Sequence, residues 1–457
     1  MRVFEADFDV KKELTPERML RSEEMVWNIN NQAISIYDRK ALLDFRQSAI
    51  EDKNWQSVKT SNQVLLELDF LEKRIIMDAY PSTLQIEHSS FCNAECIMCS
   101  HAFTKNHNAH NLSLELFSKI EYLLPYVVNV TLHGVGEAFI NTNITHFIDK
   151  YHEYDIKLNG NTNASVMSTA VTDAIAKSFS SISVSCDAGT AYTYEHIRKG
   201  LKFETFKENV IILREAAPKL HIRMATVIMR QNILELEEIV RLASELQFDD
   251  IIFTDVTTQK LLGNEKDGIQ YYRASLKENI EKAKKMGKKL HINVIVPNIL
   301  CFEDDSNCKT DELDVQAEPM YKKSDFYERL HTKYSHFDSE PHIVATMENY
   351  VVASKYACEG ICDHLLEKPF IDSEGNVFPC CIDWVHTLGN IKNSDFEGIW
   401  NGEVIQGIRK MFYSGKLPKY CVGCIFLRNQ INCKRIKILN MDRDFNCNSF
   451  DDIIVNI

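Results

Sequence analysis

LQIEHSSFCNAECIMC, residues 84–99, runs from an alternating apolar–polar strand pattern straight into the spacing C-x3-C-x2-C at Cys92, Cys96 and Cys99. Three thiolates within eight residues suit three corners of one iron–sulfur cube and leave its fourth iron without a protein thiolate. An open iron takes a further ligand and does chemistry, which a four-thiolate electron carrier does less readily. Two other readings compete: a structural zinc site with His101 as fourth ligand, and buried thiols without metal. The zinc reading fits poorly, because zinc fingers usually pair two close ligands with two distant ones.

Outward from this stretch, strand and helix patterns alternate. Strands are predicted at 84–89, 127–133, 156–161, 181–187, 220–228 and 250–256, with 290–296 extending the set, and a helix fits nearly every gap. Phe206, Val210, Leu213 and Ala217 recur at helical spacing, as do Leu236, Ile239, Val240, Ala243 and Leu246. Repeated βα units imply a parallel sheet with helices outside, curled toward a partial (β/α)6 TIM-like barrel whose active residues sit at the C-terminal strand ends. The cysteine loop leaves the first strand at that end.

The strands also predict what the barrel holds. Side chains alternate faces with period two. Val128, Val130 and Leu132 oppose Asn129, Thr131 and His133, and Ile182, Val184 and Cys186 oppose Ser183, Ser185 and Asp187. Leu84 and Ile86 oppose Gln85, Glu87 and Ser89, while Lys157, Asn159, Asn161, His221 and Arg223 add to the polar set. Helices cover the apolar face, so the polar face lines a lumen for a polar ligand, where a filled barrel core is normally Val, Ile and Leu. Cys186 then faces the helices as a buried structural thiol.

The predicted organisation is a helical N-terminal extension over 1–80, with a helix start at Thr15-Pro16-Glu17, then the barrel over 81–297. A connector over 298–356, a small cysteine-rich domain over 357–434 and a tail over 435–457 follow. The connector carries the acidic run EDDSNCKTDELD with Cys301 and Cys308, read as solvated and non-ligating. The second cluster of cysteines is Cys358, Cys362, Cys380, Cys381, Cys421, Cys424 and Cys433, in which Cys421-x2-Cys424 is a metal-type pair and zinc is an alternative. Cys433 and Cys447 are weakly placed for ligation.

The chain's 457 residues, 45% hydrophobic and 26% charged, describe an ordinary globular protein. A net charge of −13 without a long basic run disfavours nucleic-acid and anionic-membrane partners. The N-terminus MRVFEADFDVKKEL has no apolar signal segment and no apolar run spans a bilayer, so a cytoplasmic protein is expected, and its 14 cysteines point to metal rather than disulfides.

Over about residues 84–433 these features together resemble the radical S-adenosylmethionine (SAM) enzymes with a C-terminal SPASM-type domain. C-x3-C-x2-C is that family's cluster motif, and the resemblance implies a [4Fe-4S] cluster on Cys92, Cys96 and Cys99 whose open iron SAM chelates. HGVGEAF resembles the family's G-G-E-P motif: Gly134, Gly136 and Glu137 match, Glu137 would contact the SAM amino group, and Ala138 stands where Pro is usual. Thr162-Asn163-Ala164 resembles the T-N-G turn, and VSCDAGTAYTYEHIRKGLKF the strand-four region. In that region Ser185 and Asp187 are expected at the ribose or substrate, and Arg223 on strand five is expected at the SAM carboxylate. C-x12-G-x4-C from Cys362 through Gly375 to Cys380, then LGNIKNSDFEGIW and Cys421-x2-Cys424, resembles SPASM domains with one auxiliary [4Fe-4S] cluster.

The resemblance implies that an external one-electron reductant such as flavodoxin or ferredoxin drives cleavage of SAM to methionine and a 5′-deoxyadenosyl radical. The radical takes hydrogen from a substrate in the lumen. Cys381 is a candidate thiol hydrogen donor. A peptide or protein side chain is the favoured substrate and a small polar metabolite such as a sugar the alternative. A non-catalytic iron–sulfur or zinc protein is the reading of another class.

Overall fold

The computed structural model describes residues 38–99, 101, 109–256, 267–268, 271–296, 362–381 and 387–414, and the strand segments 2–4, 25–29, 32–35, 350–353 and 416–418. Two helices, Arg39–Glu51 and Trp55–Leu71, lie within residues 1–80. Ahead of them lie three strands that the sequence reading did not anticipate: β1 (Arg2–Phe4), β2 (Met25–Ile29) and β3 (Gln32–Ser35). They form a sheet in the order β1-β2-β3, with β1 parallel to β2 and β2 antiparallel to β3. The helix start expected at Thr15-Pro16-Glu17 lies outside the described residues.

The strands that follow are β4 (Thr83–Ile86), β5 (Glu95–Cys96), β6 (Asn129–Leu132), β7 (Lys157–Thr162), β8 (Ser181–Ser185), β9 (Arg198–Lys199), β10 (His221–Ile228), β11 (Asp250–Asp255) and β12 (Asn293–Ile295). After these come β13 (Tyr350–Ala353), β14 (Phe370–Ile371), β15 (Asn376–Phe378), β16 (Gly389–Asn390) and β17 (Lys416–Pro418). The main sheet runs β12-β11-β10-β8-β7-β6-β4-β14-β15-β16. Its seven barrel strands follow chain order and pair in parallel throughout. An all-parallel sheet in chain order, with helices between its strands, curls one way as a partial barrel and lacks the order reversal of a doubly wound sheet. The sheet is open between β12 and β16 among the described residues.

The face alternation holds along the strands. Leu84, Val130, Leu132, Leu158, Val184 and Met224 are fully buried, whereas Thr131, Asn159, Ser183 and Ser185 between them are half-buried. The helices supply the other half of that core. Ile144, Phe147, Ile148 and Tyr151 lie along one face of helix Ile144–Glu153 and are all buried, each contributing about 1.5–3 kcal/mol.

The C-terminal domain attaches to the barrel's open edge. β14 pairs in parallel with β4, Phe370 opposite Gln85 and Ile371 opposite Ile86. This covers backbone groups that an edge strand would otherwise offer to another chain. The hairpin β14–β15 turns at Gly375, whose φ of +87° favours glycine. Behind it Arg409 is 1% exposed, donates to the carbonyls of Leu365, Ile75 and Trp400, and stacks 4.5 Å from the Trp400 ring centroid. Burial pushes its guanidinium down to about 10. Arg409→Met keeps the volume and orphans three carbonyls, so it should cost about 2–4 kcal/mol. Urea unfolding checks this, and an unchanged midpoint would show that the knot is dispensable.

Candidate functional site

The cysteine loop leaves the C-terminal end of β4, as the barrel geometry requires, and is pinned at its middle. β5 pairs antiparallel with β9, Cys96 opposite Arg198, and the Ile97 N–H donates to the Ile197 carbonyl at 2.9 Å. The Cys99 N–H donates back to the Cys96 carbonyl at 3.1 Å. Cys96 is buried, and Cys92 and Cys99 are half-buried. Burial pushes the Cys96 thiol up to about 12 and raises Cys92 as well. Such thiols become thiolates only when a strong positive charge replaces the proton, which bound iron supplies.

Two loops close over the triad. A Cβ on Gly136 would overlap the carbonyl oxygens of Ser89 and Phe91, so glycine lets the loop after β6 lie on the start of the cysteine loop. The Glu137 N–H donates to the Phe91 carbonyl at 2.8 Å. The Glu137 carboxylate is buried and accepts from the Thr162 hydroxyl at 2.8 Å, the Asn163 N–H at 2.7 Å and the Phe139 N–H at 3.4 Å. Burial raises its pKa, and those three donors pull the other way. Thus the H-G-V-G-E and T-N-A segments meet through one carboxylate. Asn163 then turns its amide toward the triad, donating to Asn93 Oδ1 at 3.1 Å and toward Cys92 Sγ at 3.9 Å. Ser185 ends β8, half-buried on the lumen face.

Two expected cofactor contacts sit elsewhere. Arg223 is two residues into β10, at the N-terminal end of the barrel, and binds Asp250 through both carboxylate oxygens at 2.6 and 2.7 Å. Strand parity places it on the lumen face, but the cysteine loop opens at the other end. Asp187 lies past the end of β8 and is fully buried. Its carboxylate accepts the Val227 N–H at 2.8 Å and pairs with Arg198 at 2.7 Å, so it braces the site from beneath and presents no face to a ribose.

Arg198 is the residue that sequence reasoning missed. Its backbone pairs with Cys96, its side chain is 6% exposed, and its Nε has no hydrogen-bond partner among the described residues. Burial works against its charge, and Asp187 together with Cys96, Tyr194 and Cys186 more than restores it, holding the guanidinium above its ordinary range. A buried Asp at a strand exit calls for a cation, and Arg198 is the next arginine along the chain. Three thiols, a fixed cation and inward-turned N–H donors form a donor set that suits an anionic iron–sulfur cluster. Met229, Val256, Ile97 and Ile197 form a small apolar cluster at the same strand ends.

His101 turns Nε2 to the Ser90 carbonyl at 2.7 Å, an arrangement that commits this nitrogen to the loop rather than to zinc. No three His, Cys, Asp or Glu side chains converge on a single-ion site among the described residues. In the C-terminal domain Cys362 precedes helix Asp363–Glu367, Cys380 is buried two residues after β15, and Cys381 is half-buried. Cys421 and Cys424, with Cys301, Cys308, Cys358, Cys433 and Cys447, lie outside the described residues. Cys186 is fully buried, with its thiol donating to the Ala188 carbonyl at 3.3 Å.

Asp187→Asn should cost about 3–5 kcal/mol, because it leaves a buried arginine uncompensated, and should lower iron retention on the triad. Cys186→Ala should keep wild-type iron. Equal iron loss in both, measured by iron assay after reconstitution, would mean that the ion pair does not support the loop.

A family model described as the radical SAM superfamily matches residues 86–258, and one described as an iron–sulfur cluster-binding domain, SPASM, matches residues 362–425. No curated protein sequence matches the chain. Among solved structures, Streptococcus suis SuiB bound to S-adenosylmethionine is similar at 16% identity and TM-score 0.50, covering 81% of this chain and 80% of that one. SuiB bound to the precursor peptide SuiA gives 16% and 0.49, over 80% and 79% of the two chains. Native anSMEcpe with bound AdoMet gives 14% and 0.47, over 76% and 87%. The SuiB likeness supports the partial-barrel fold. The first matched domain implies a [4Fe-4S] cluster and SAM, and the second implies auxiliary iron–sulfur binding. No described helix is long and apolar enough to cross a membrane. With its thiol triad on the first strand's exit and both family models matched in order, the chain carries a radical SAM domain over residues 86–258 and a SPASM domain over residues 362–425.

Proposed function

We propose that the protein is a maturase, using radical SAM chemistry to abstract hydrogen from a side chain of a peptide or protein. SAM on the cluster supplies the 5′-deoxyadenosyl radical. The chain's own part is to hold the triad at the barrel mouth, position the SAM loop through Glu137, and offer a polar lumen to the substrate. Cys362, Cys380, Cys421 and Cys424 hold the auxiliary cluster in this reading, Cys381 is a thiol placed next to it, and flavodoxin or ferredoxin is the reductant.

One observation carries the peptide over other substrates. β1, β2 and β3 form a small sheet at the N-terminus in which β1 and β3 are terminal strands among the described residues. An extended peptide joins such an edge through main-chain hydrogen bonds, with affinity largely independent of its sequence. The alternative, a small polar metabolite such as a sugar, draws support from the half-buried Asn159, Ser183 and Ser185 on the lumen face.

Three experiments test this. In anaerobic turnover, peptides encoded beside the gene and candidate sugars are supplied in deuterated form, and 5′-deoxyadenosine is analysed by mass. Deuterium is expected from peptide, and label from sugar alone would overturn the reading. Ala33→Pro and Ile34→Pro remove N–H groups that point to opposite edges of β3. One of them should weaken peptide binding roughly tenfold, with peptide-independent SAM cleavage intact. Replacing Cys92, Cys96 and Cys99 together by Ala should abolish SAM cleavage and leave about four irons on the auxiliary site. Persisting cleavage, or loss of all iron, would contradict the two-cluster arrangement.

A further inference from the structure

Glu87 follows β4 by one residue, is 3% exposed, and touches neither the thiols nor the T-N-A turn by any hydrogen bond described above. Its carboxylate is shared between two parts of the chain. Oε1 accepts the Val135 N–H, in the middle of the Gly134–Glu137 loop, at 2.7 Å. Oε2 accepts the Ser373 N–H at 3.2 Å and the Ser373 hydroxyl at 2.9 Å, both from the C-terminal domain's hairpin turn. The Glu87 backbone N–H also goes to that hairpin, to the Ile371 carbonyl at 2.9 Å. Gly134 lies directly on the Glu87 side chain, where a Cβ would collide with Cβ, Cγ and Oε1. The SAM loop therefore rests on a side chain whose other oxygen is held by the second domain.

We propose that Glu87 is a positioning residue that couples docking of the SPASM hairpin to the geometry of the SAM loop. Ser373 fixes Glu87, Glu87 fixes Val135, and the loop so placed carries Glu137 to the Thr162–Asn163 turn and Gly136 to the cysteine loop. A buried carboxylate satisfied by three donors is stiff, and losing one donor leaves it with an unmet bond and a new resting position. SAM affinity then depends on a hydroxyl in the other domain that makes no hydrogen bond to the SAM loop among the described residues. The hairpin also meets the start of the cysteine loop, where His110 Nε2 lies 3.0 Å from a Glu374 carboxylate oxygen and the His110 carbonyl accepts the Ser90 N–H at 2.9 Å. The inference rests on the superfamily's use of SAM and is independent of which substrate is taken.

The test measures SAM dissociation constants by equilibrium dialysis on anaerobically reconstituted full-length Ser373→Ala, Glu87→Ala and the double variant, each with its iron content. Ser373→Ala should weaken SAM binding roughly three- to tenfold at wild-type iron content. Glu87→Ala should weaken it further. The double variant should match Glu87→Ala, because Ser373 acts only through the carboxylate. If Glu87→Ala does not fold, Ser373→Ala alone decides the matter. A Ser373→Ala protein with a lowered unfolding midpoint and an unchanged SAM constant would make the contact purely structural and overturn the proposal, as would additive losses in the double variant.

Discussion

Strand β4 is short and paired on both edges, with β6 on one side and β14 on the other. Everything that carries chemistry depends on that double pairing. The cysteine loop begins where β4 ends, the Gly134–Glu137 loop follows the end of β6, and the SPASM hairpin turns where β14 ends. Parallel pairing puts these three exits at one end of the sheet, so segments far apart in sequence arrive within hydrogen-bonding distance. A slip of one residue in any of the pairings would turn Glu87 to the helices and one of its hydrophobic neighbours to the lumen.

Over that frame the site is built from buried charges satisfied by specific partners. Glu137 is held by the Thr162–Asn163 turn, and Asp187 by Arg198 and the Val227 N–H. Neither would be tolerated alone in so dry a place, and each fixes the direction in which a loop leaves its strand. The thiols themselves are the least settled groups, since burial favours their protonated form. Metal loading and loop order are thereby linked: binding iron replaces the thiol protons and fixes a loop whose scaffold is already in place.

Much of this was legible in the residues. The period-two alternation of 129–133 and 181–185 identified the lumen face, and the C-x3-C-x2-C spacing located the mouth. Parity says which face a side chain takes but not which end of the barrel it occupies, and so Arg223 was expected near SAM when it lies at the far end with Asp250. Parity also expires with the strand: β8 stops at Ser185, and Asp187 turns inward to Arg198. The N-terminal hairpin did carry a signal, two adjacent asparagines between the apolar runs of β2 and β3, hidden beneath the helical pattern of 39–71. The Glu87–Ser373 contact spans 286 positions, and nothing in local sequence points from one to the other.

In the proposed function, Cys92, Cys96 and Cys99 at the barrel mouth hold a cluster whose fourth iron accepts SAM. Electron paramagnetic resonance of the reduced, reconstituted protein tests this directly. Adding SAM should change the cluster signal in the wild type and in a Cys362→Ala/Cys380→Ala variant, and should change nothing in Cys96→Ala. A wild-type spectrum that is the same with and without SAM would contradict it.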